Sequence, residues 1–343
     1  MTAAQVDIKT KSADWLVAEL GLPEPRPLVA DSIPNAEGSL TLAEGSLPAE
    51  GSNPPAHSGF YVEKVNLNTL DVVRALSRAI GVPQHEIGYA GRKDKWAITR
   101  QWFSAPRAEV WPEIPGTRCI EQKPRSKKLR VGELLGNEFT ITLRNVQCLS
   151  IAQIQAIESG FANRFGSQRV SQDNQDRAVQ WLLNRRQRKG VSKTQQGWFL
   201  SVVRATLFNK FVAKREALGT LSSAIEGDVL IDGFPSAPLW GRGRSQSKAQ
   251  AAEVEQLVTG ELADICEALE YAGVTQGRRA MFVRPRGLQV ESLDENTWML
   301  KFALPPGSYA TTLLDEVATV RDFGGQATAS DQAIASDQGT QHG

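Results

Sequence analysis

The chain predicts an α+β fold in which a sheet domain is interrupted in sequence by a mostly helical insertion. Three observations carry this. Strand-like alternation flanks a polar break between Gly88 and Ser104, a long run from about Asn163 to Gly273 repeats apolar residues at helical spacing, and strand character returns after Ala280. With 343 residues and 41% hydrophobic content, the chain is long enough for two domains with a substantial core.

Taken in order, DWLVAEL near the N-terminus places Glu19 at the end of a short apolar stretch. The Pro/Gly/Ser/Ala-rich segment Pro23–Ser58 has too little apolar surface to offset its ordering entropy and reads as a long mobile loop. Asn68 or Thr69 caps a helix that Gly81 closes, with Val72, Val73, Leu76 and Ile80 on one face. This helix leads into a hairpin over Gly88–Ser104, two strands joined by a tight turn at Gly91. Alternation of Phe139, Ile141 and Leu143 gives a half-buried strand from Glu138 to Arg144. Helices are then expected over Ser150–Phe165, Asp173–Gly190, Leu200–Leu218 and Ser247–Gly273. Strands follow at Ala280–Arg284, Leu288–Leu293 and Thr297–Leu304, then a last helix over about Ser308–Val320. From Gly324 the sequence is of low complexity and reads as disordered. The expected domains are therefore 1–159 with 281–323 for the sheet, 160–280 for the insertion and 324–343 for the tail.

Composition excludes several classes. No apolar run reaches the length of a membrane span and the N-terminus lacks a signal-peptide core, so a cytoplasmic protein is expected. Cys119, Cys148 and Cys266 are widely spaced, and His57, His85 and His342 are the only histidines, so neither a disulfide framework nor a metal site is indicated. Phosphate-loop, dinucleotide-binding and zinc-hydrolase motifs do not occur, and no serine sits in a nucleophile-elbow setting. The net charge of +1 averages unlike parts. Arg92 to Arg130 holds eleven basic residues against four acids, and Arg164 to Arg215 holds twelve against two. Two such blocks suit a phosphate backbone, although each alone also fits a solvated helix face. Arg92, Lys127, Lys128, Arg130 and Arg169, with Arg242 and Arg244 of a GRGR run, are the candidate RNA contacts.

The most informative segment is GYAGRKDKWAITRQWFS, which sets Asp94 between Lys93 and Lys95 on a sheet edge. Neighbouring ammonium groups favour an ionised acid, suited to a polyanionic ligand whose chemistry needs a nucleophile or base. A solvated hairpin turn explains the same composition. Asn137, in LLGNEF, offers an amide to a base edge, and Phe139 a ring, though its alternation also fits a core position. Tyr309 follows a Pro-Pro-Gly-Ser turn at a helix start and is either a stacking wall or a partly buried tyrosine. Glu19 is either an acid reaching the same place or a strand-end charge.

These motifs, in this order, resemble the TruD family of tRNA pseudouridine synthases, whose signature is roughly aGxKDKxAxTxQxxs. DWLVAEL resembles its F-x-V-x-E segment, EKVNLNT its K-x-n-x-n-T segment, and LRVGELLGNEFTITLR its L-x-x-G-x-L-x-G-N-x-F-x-I-x-L-R segment. NRFGSQR resembles the opening of the family's inserted domain, and LPPGSYATTLL its closing L-P-x-G-s-Y-A-T. The resemblance implies a mixed, mainly antiparallel pseudouridine-synthase sheet and a largely helical insertion that together form an RNA cleft. It implies isomerisation of uridine to pseudouridine, in the family's bacterial branch at position 13 of tRNA, without cofactor or metal; no obligate protein partner is evident in the sequence, and a monomer is expected. Asp94 matches the catalytic aspartate; Glu19, Lys93, Lys95, Asn137, Phe139 and Tyr309 match or adjoin substrate-binding positions. Trp96 stands where many members carry histidine, Val170 and Ser171 replace F-G, Asp315 stands where arginine is frequent, and the insertion is short. These departures leave room for a non-catalytic RNA-binding or RNA-folding protein on the same scaffold.

Overall fold

The computed structural model describes residues 4–22, 56–106, 108–166, 169–184 and 190–325. Most of the expected Pro23–Ser58 loop (23–55), nearly all of the expected tail (326–343), residues 185–189 and Gln168 of the NRFGSQR motif lie outside the described residues.

In chain order the elements are β1 (Gln5–Ile8), β2 (Trp15–Glu19), β3 (His57–Val65), α1 (Thr69–Ile80), β4 (Gly88–Tyr89), β5 (Ile98–Ala105), β6 (Thr117–Arg125), β7 (Asn137–Gln147) and α2 (Ile151–Ala156). They continue with β8 (Phe161–Ala162), α3 (Gln172–Leu183), α4 (Lys193–Ala217), β9 (Leu230–Ile231), β10 (Phe234–Leu239), α5 (Ala249–Glu261) and α6 (Ala263–Tyr271). The last are β11 (Gly277–Ala280), β12 (Phe282–Val283), β13 (Arg286–Asp294), β14 (Thr297–Leu304), α7 (Ala310–Asp315) and β15 (Thr319–Asp322). The chain packs as two compact units, one formed by Ile8–Thr142 with the residues from Asp322 onward, the other by the residues up to Asp7 with Leu143–Arg321.

In the Ile8–Thr142 unit the strand order is β7, β2, β5, β3, β6, with β4 paired to β5. Only β2 and β5 run parallel, with Leu16 opposite Ile98, and the remaining pairs in this unit are antiparallel, so the sheet is mixed and mainly antiparallel. Asn68 caps α1 as its sequence dictates, its Oδ1 accepting the N–H groups of Leu70 and Asp71 at 2.9 and 3.1 Å. Gly81 ends the helix in the left-handed region at φ 68°. The buried face of α1, Val72, Val73 and Leu76, packs on Phe60 and Val62 of β3 and Phe103 of β5. That packing makes the sheet a rigid support for what leaves its edge.

The Leu143–Arg321 unit has an aromatic helical core in which Trp181 of α3 stacks on Phe199 of α4 at 5.2 Å, joined by Phe208, Phe211, Cys266 and Leu269. Three sequence expectations are revised here. The helix expected over Ser150–Phe165 stops at Gly160, whose φ of 115° turns the chain into β8. A Cβ there would lie 2.2 Å from the Phe282 ring, so both conformation and packing demand glycine. Ser247–Gly273 is two helices broken at Leu262 rather than one. The last helix covers only Ala310–Asp315, because the β-branched Thr319 and Val320 enter β15, where the Thr319 N–H donates to the Ala4 carbonyl at 2.8 Å.

Candidate active site

The motif segment is a hairpin whose strands, β4 and β5, pair Tyr89 with Phe103. The expected tight turn is instead a loop from Ala90 to Ala97, fastened at several points. The Gln101 amide donates to the Gly91 carbonyl at 3.1 Å, and the Lys93 N–H donates to the Thr69 hydroxyl at 2.9 Å. That hydroxyl in turn donates to Gln101 Oε1 at 2.9 Å, so the first residue of α1 and the centre of β5 hold the loop together. Lys64, on the inward face of β3, donates to the carbonyls of Leu67 and, at 3.1 Å, of Asp94.

Asp94 rises from this fastened loop with its side chain 58% exposed. The two lysines beside it in sequence are turned elsewhere. Lys93 makes a buried ion pair with Glu19 at 2.6 Å, and the Lys95 ammonium lies 4.5 Å over the Trp96 ring. The cation that meets the Asp94 carboxylate is Lys9, at 3.4 Å. Lys9 is itself held from below by the Trp15 ring, 4.7 Å away, and from the side by Asp322 at 3.0 Å. The backbone of Gly324 and Gly325 runs against the Trp96 side chain.

Glu19 is no strand-end charge on the surface. Its carboxylate is fully buried, pairs with Lys93 through Oε1 and accepts the Trp102 N–H at 2.8 Å through Oε2. Burial pushes its carboxyl above the usual range, against the opposing pull of Lys93. The Tyr61 hydroxyl donates to the Glu19 carbonyl at 3.1 Å; burial, seconded by the Glu19 charge, pushes that phenol up to about 12. Asn137 stands directly across β7 from Glu19, with its side-chain Oδ1 buried and without a hydrogen-bond partner among the described residues. Phe139 faces Val17 in the same pairing and is buried, a core ring. The structure thus brings Asp94, Lys93, Glu19 and Asn137 into one connected group.

Tyr309 belongs to the other unit, where it precedes α7 and is 38% exposed. Its ring lies 6.1 Å from Phe165, and the Arg279 guanidinium faces both, 4.3 Å from Phe165 and 5.7 Å from Tyr309. Arg279 donates to Asn163 Oδ1 and to the Gly307 carbonyl, both at 2.6 Å, tying the turn before Tyr309 to the start of NRFGSQR. Burial pulls that guanidinium down to about 10. Of the candidate RNA contacts, Arg92, Lys127, Arg130, Arg242 and Arg244 are exposed. Lys128 donates to the His85 carbonyl, and Arg169 donates to the Ser201 hydroxyl beneath Phe165.

Lys9 and Asp322 carry this geometry without any sequence signal, whereas Lys64, Thr69 and Gln101 fall on lettered positions of the K-x-n-x-n-T and aGxKDKxAxTxQxxs segments but carry no site role in the sequence reading. For Lys64 a signal existed. Phe60, Val62 and Lys64 alternate onto one strand face, and a lysine on an otherwise apolar face must have buried partners. Lys9 and Asp322 gave none, because they meet only through the fold. Among the described residues no group of three or more histidines, cysteines or carboxylates is arranged to hold a metal ion, and no helix is long and apolar enough to cross a membrane.

The model of the family "tRNA pseudouridine synthase D (TruD)" matches residues 7–179. A tRNA pseudouridine synthase D from Shewanella oneidensis is 34% identical over 314 residues, covering 80% of this chain and 83% of that protein. Another from Xanthomonas axonopodis pv. citri is 33% identical over 357 residues, covering 85% and 96%. A crystal structure from Methanosarcina mazei carrying the TruD name superposes with a TM-score of 0.58 over 92% of this chain and 94% of that one; at 19% identity it speaks to the fold alone. By the family match and the relatives together, this chain belongs to the TruD family of tRNA pseudouridine synthases.

Proposed function

We propose that this chain isomerises uridine to pseudouridine in tRNA, at position 13, with Asp94 as the reacting acid. The observation that carries the reading is an accessible carboxylate on a loop fixed at Gly91, Lys93 and Asp94 itself, with Lys9 as its counter-ion. In the reaction the bond from C1′ to N1 breaks, the uracil turns, and C1′ bonds to C5; N1 gains a proton and C5 loses one, so atoms and charge balance. A carboxylate beside C1′ either adds to that carbon or removes a sugar proton as the base leaves, and both routes need it held at a fixed distance. Asn137 Oδ1, an acceptor otherwise left unsatisfied, suits the N–H of a uracil edge. The Glu19–Lys93 pair holds the loop rather than binding phosphate, since both charges are buried and spent on each other. Reaching a nucleotide within folded RNA requires extruding it, a cost of a few kcal/mol that stacking on Tyr309 and phosphate contacts by the exposed arginines and lysines help offset. Residues 160–280 are the helical, family-specific insertion of this reading, tRNA its partner, the monomer its working form and the cytoplasm its place.

Incubation with unmodified tRNA is expected to yield pseudouridine at a single site, and Asp94→Asn to abolish the product while tRNA affinity is kept. Binding with no isomerised uridine in the wild type would instead favour an RNA-binding role.

A further inference from the structure

Among the groups around Asp94, Lys64 is the one whose complete burial on an apolar face demands a reason. It follows Phe60 and Val62 on the inward face of β3, and all three side chains are wholly buried. A buried ammonium is costly, and an apolar side chain of similar length is the less expensive occupant of such a face. Among the described residues Lys64 has no carboxylate at salt-bridge distance. Its hydrogen bonds go to two backbone carbonyls, those of Leu67, at the approach to α1, and of Asp94. The loop's other ties, at Gly91 and Lys93, act on neighbours of Asp94, and Lys9 acts on its side chain. Among the described residues, it is the Lys64 side chain that takes hold of the Asp94 backbone.

We infer that Lys64 is a positioning residue for the isomerisation: by anchoring the Asp94 carbonyl to the entry of α1, its ammonium fixes where the carboxylate stands, and so sets the rate of the chemical step rather than the affinity for tRNA. The inference rests on Asp94 being the reacting acid. Burial pulls Lys64 down to about 8, opposed by the Asp94 charge, assisted by Lys93 and opposed again by Asp71. The residues paired across from it on β5 and β6 are Thr99 and Thr117, which carry no charge. Loss of the proton leaves a weaker donor on the Asp94 carbonyl, so the anchor loosens on the alkaline side.

The test is single-turnover pseudouridine formation with enzyme in excess over unmodified tRNA, for wild type, Asp94→Asn and Lys64→Met, at pH values on both sides of 8. The wild-type rate is expected to fall as pH rises through about 8. Lys64→Met is expected to be slower by about 100-fold, the scale of a small misplacement of a reacting group, with unchanged tRNA affinity and a rate flat through the same range. A folded Lys64→Met enzyme with wild-type rate overturns the inference, as does a wild-type rate that ignores pH there; if that variant does not melt cooperatively, the wild-type profile alone decides. Wild type without product, or an active Asp94→Asn, overturns the functional reading instead.

Discussion

Two buried ion pairs look alike and do different things. In the Leu143–Arg321 unit, Arg215 meets Asp228 at 2.7 and 2.9 Å, and its guanidinium also donates to the carbonyls of Thr220 and Ser223 and to the Thr220 hydroxyl. Both side chains are buried, and the Asp228 Oδ2 also accepts the Ile225 N–H. In the Ile8–Thr142 unit, Lys93 meets Glu19 at 2.6 Å, equally buried, but the next residue along is an exposed carboxylate and the residue opposite Glu19, Asn137, has an amide oxygen unsatisfied among the described residues. The first network closes on itself and fastens a turn between α4 and β9. The second is closed on one side and open on the other, which is how a site differs from a staple: its buried half holds still what its open half presents.

The largest effects expected are those of removing one acid from each pair. Asp228→Ala strands a buried guanidinium, and Glu19→Gln strands a buried ammonium; each is expected to cost about 3–5 kcal/mol of stability, read by urea or thermal melts. Only Glu19→Gln is expected also to slow pseudouridine formation per folded molecule, by about 100-fold at temperatures where both variants remain folded, because only its loss frees the loop carrying Asp94. An Asp228→Ala enzyme that is folded yet equally slow would erase the distinction between the networks.

The same contrast explains what was legible in the sequence. Elements with a strong local code were plain: the Asn68 cap, the Gly81 stop and the Val72, Val73, Leu76 face of α1 are short-range physics, and β5, β7 and β14 show themselves by alternation, whereas β1, β3 and β6 went unread. The segment around Asp94 stands out because it is dense in unusual residues, although the tight turn expected there is a longer loop. What failed was pairing at a distance. Sequence adjacency makes Lys93 and Lys95 the expected charges around Asp94, yet the contact belongs to Lys9, which lies far from Asp94 in the chain. Gly160, inside a run of apolar residues at helical spacing, marked a stop that the periodicity masked. Sequence left Glu19 between an acid reaching the site and a strand-end charge, because nothing local says that a strand will bury it beside Lys93.

Arg279 lies between the two extremes. Its edges are spent on Asn163 and Gly307, as Arg215's are on its partners, but its flat face meets Phe165 and Tyr309, and Tyr309 reaches solvent. A half-exposed ring braced by a guanidinium is suited to stacking on a base. Tyr309→Ala is expected to weaken tRNA binding by about 1–3 kcal/mol, and Tyr309→Phe to leave it unchanged, in direct titrations. Equal losses in the two variants would place the effect in the hydroxyl and remove Arg279 from the open class.

The smallest effect separates the two kinds of buried cation by their response to pH. Arg215 has Asp228 as its counter-charge, whereas among the described residues Lys64 donates to carbonyls alone, and burial pulls it from 10.5 down to about 8. A cation whose pKa is lower folded than unfolded leaves the unfolded chain holding more protons between those two values, so stability rises with pH from about 8 toward 10.5, and that contribution is lost as pH falls through about 8. Cys119 and Cys266, raised from 9.0, the latter up to about 11, and Tyr61, pushed from 10.0 up to about 12, act oppositely and take stability away above 9 and above 10, which leaves pH 8 to 9 as the window. Urea melts across it are expected to show wild type gaining on Lys64→Met, and parallel curves would mean that Lys64 keeps an ordinary proton affinity. The sign matters more than the size. An enzyme that slows over the same interval in which its fold grows firmer is losing a local anchor, since general unfolding would take rate and stability down together.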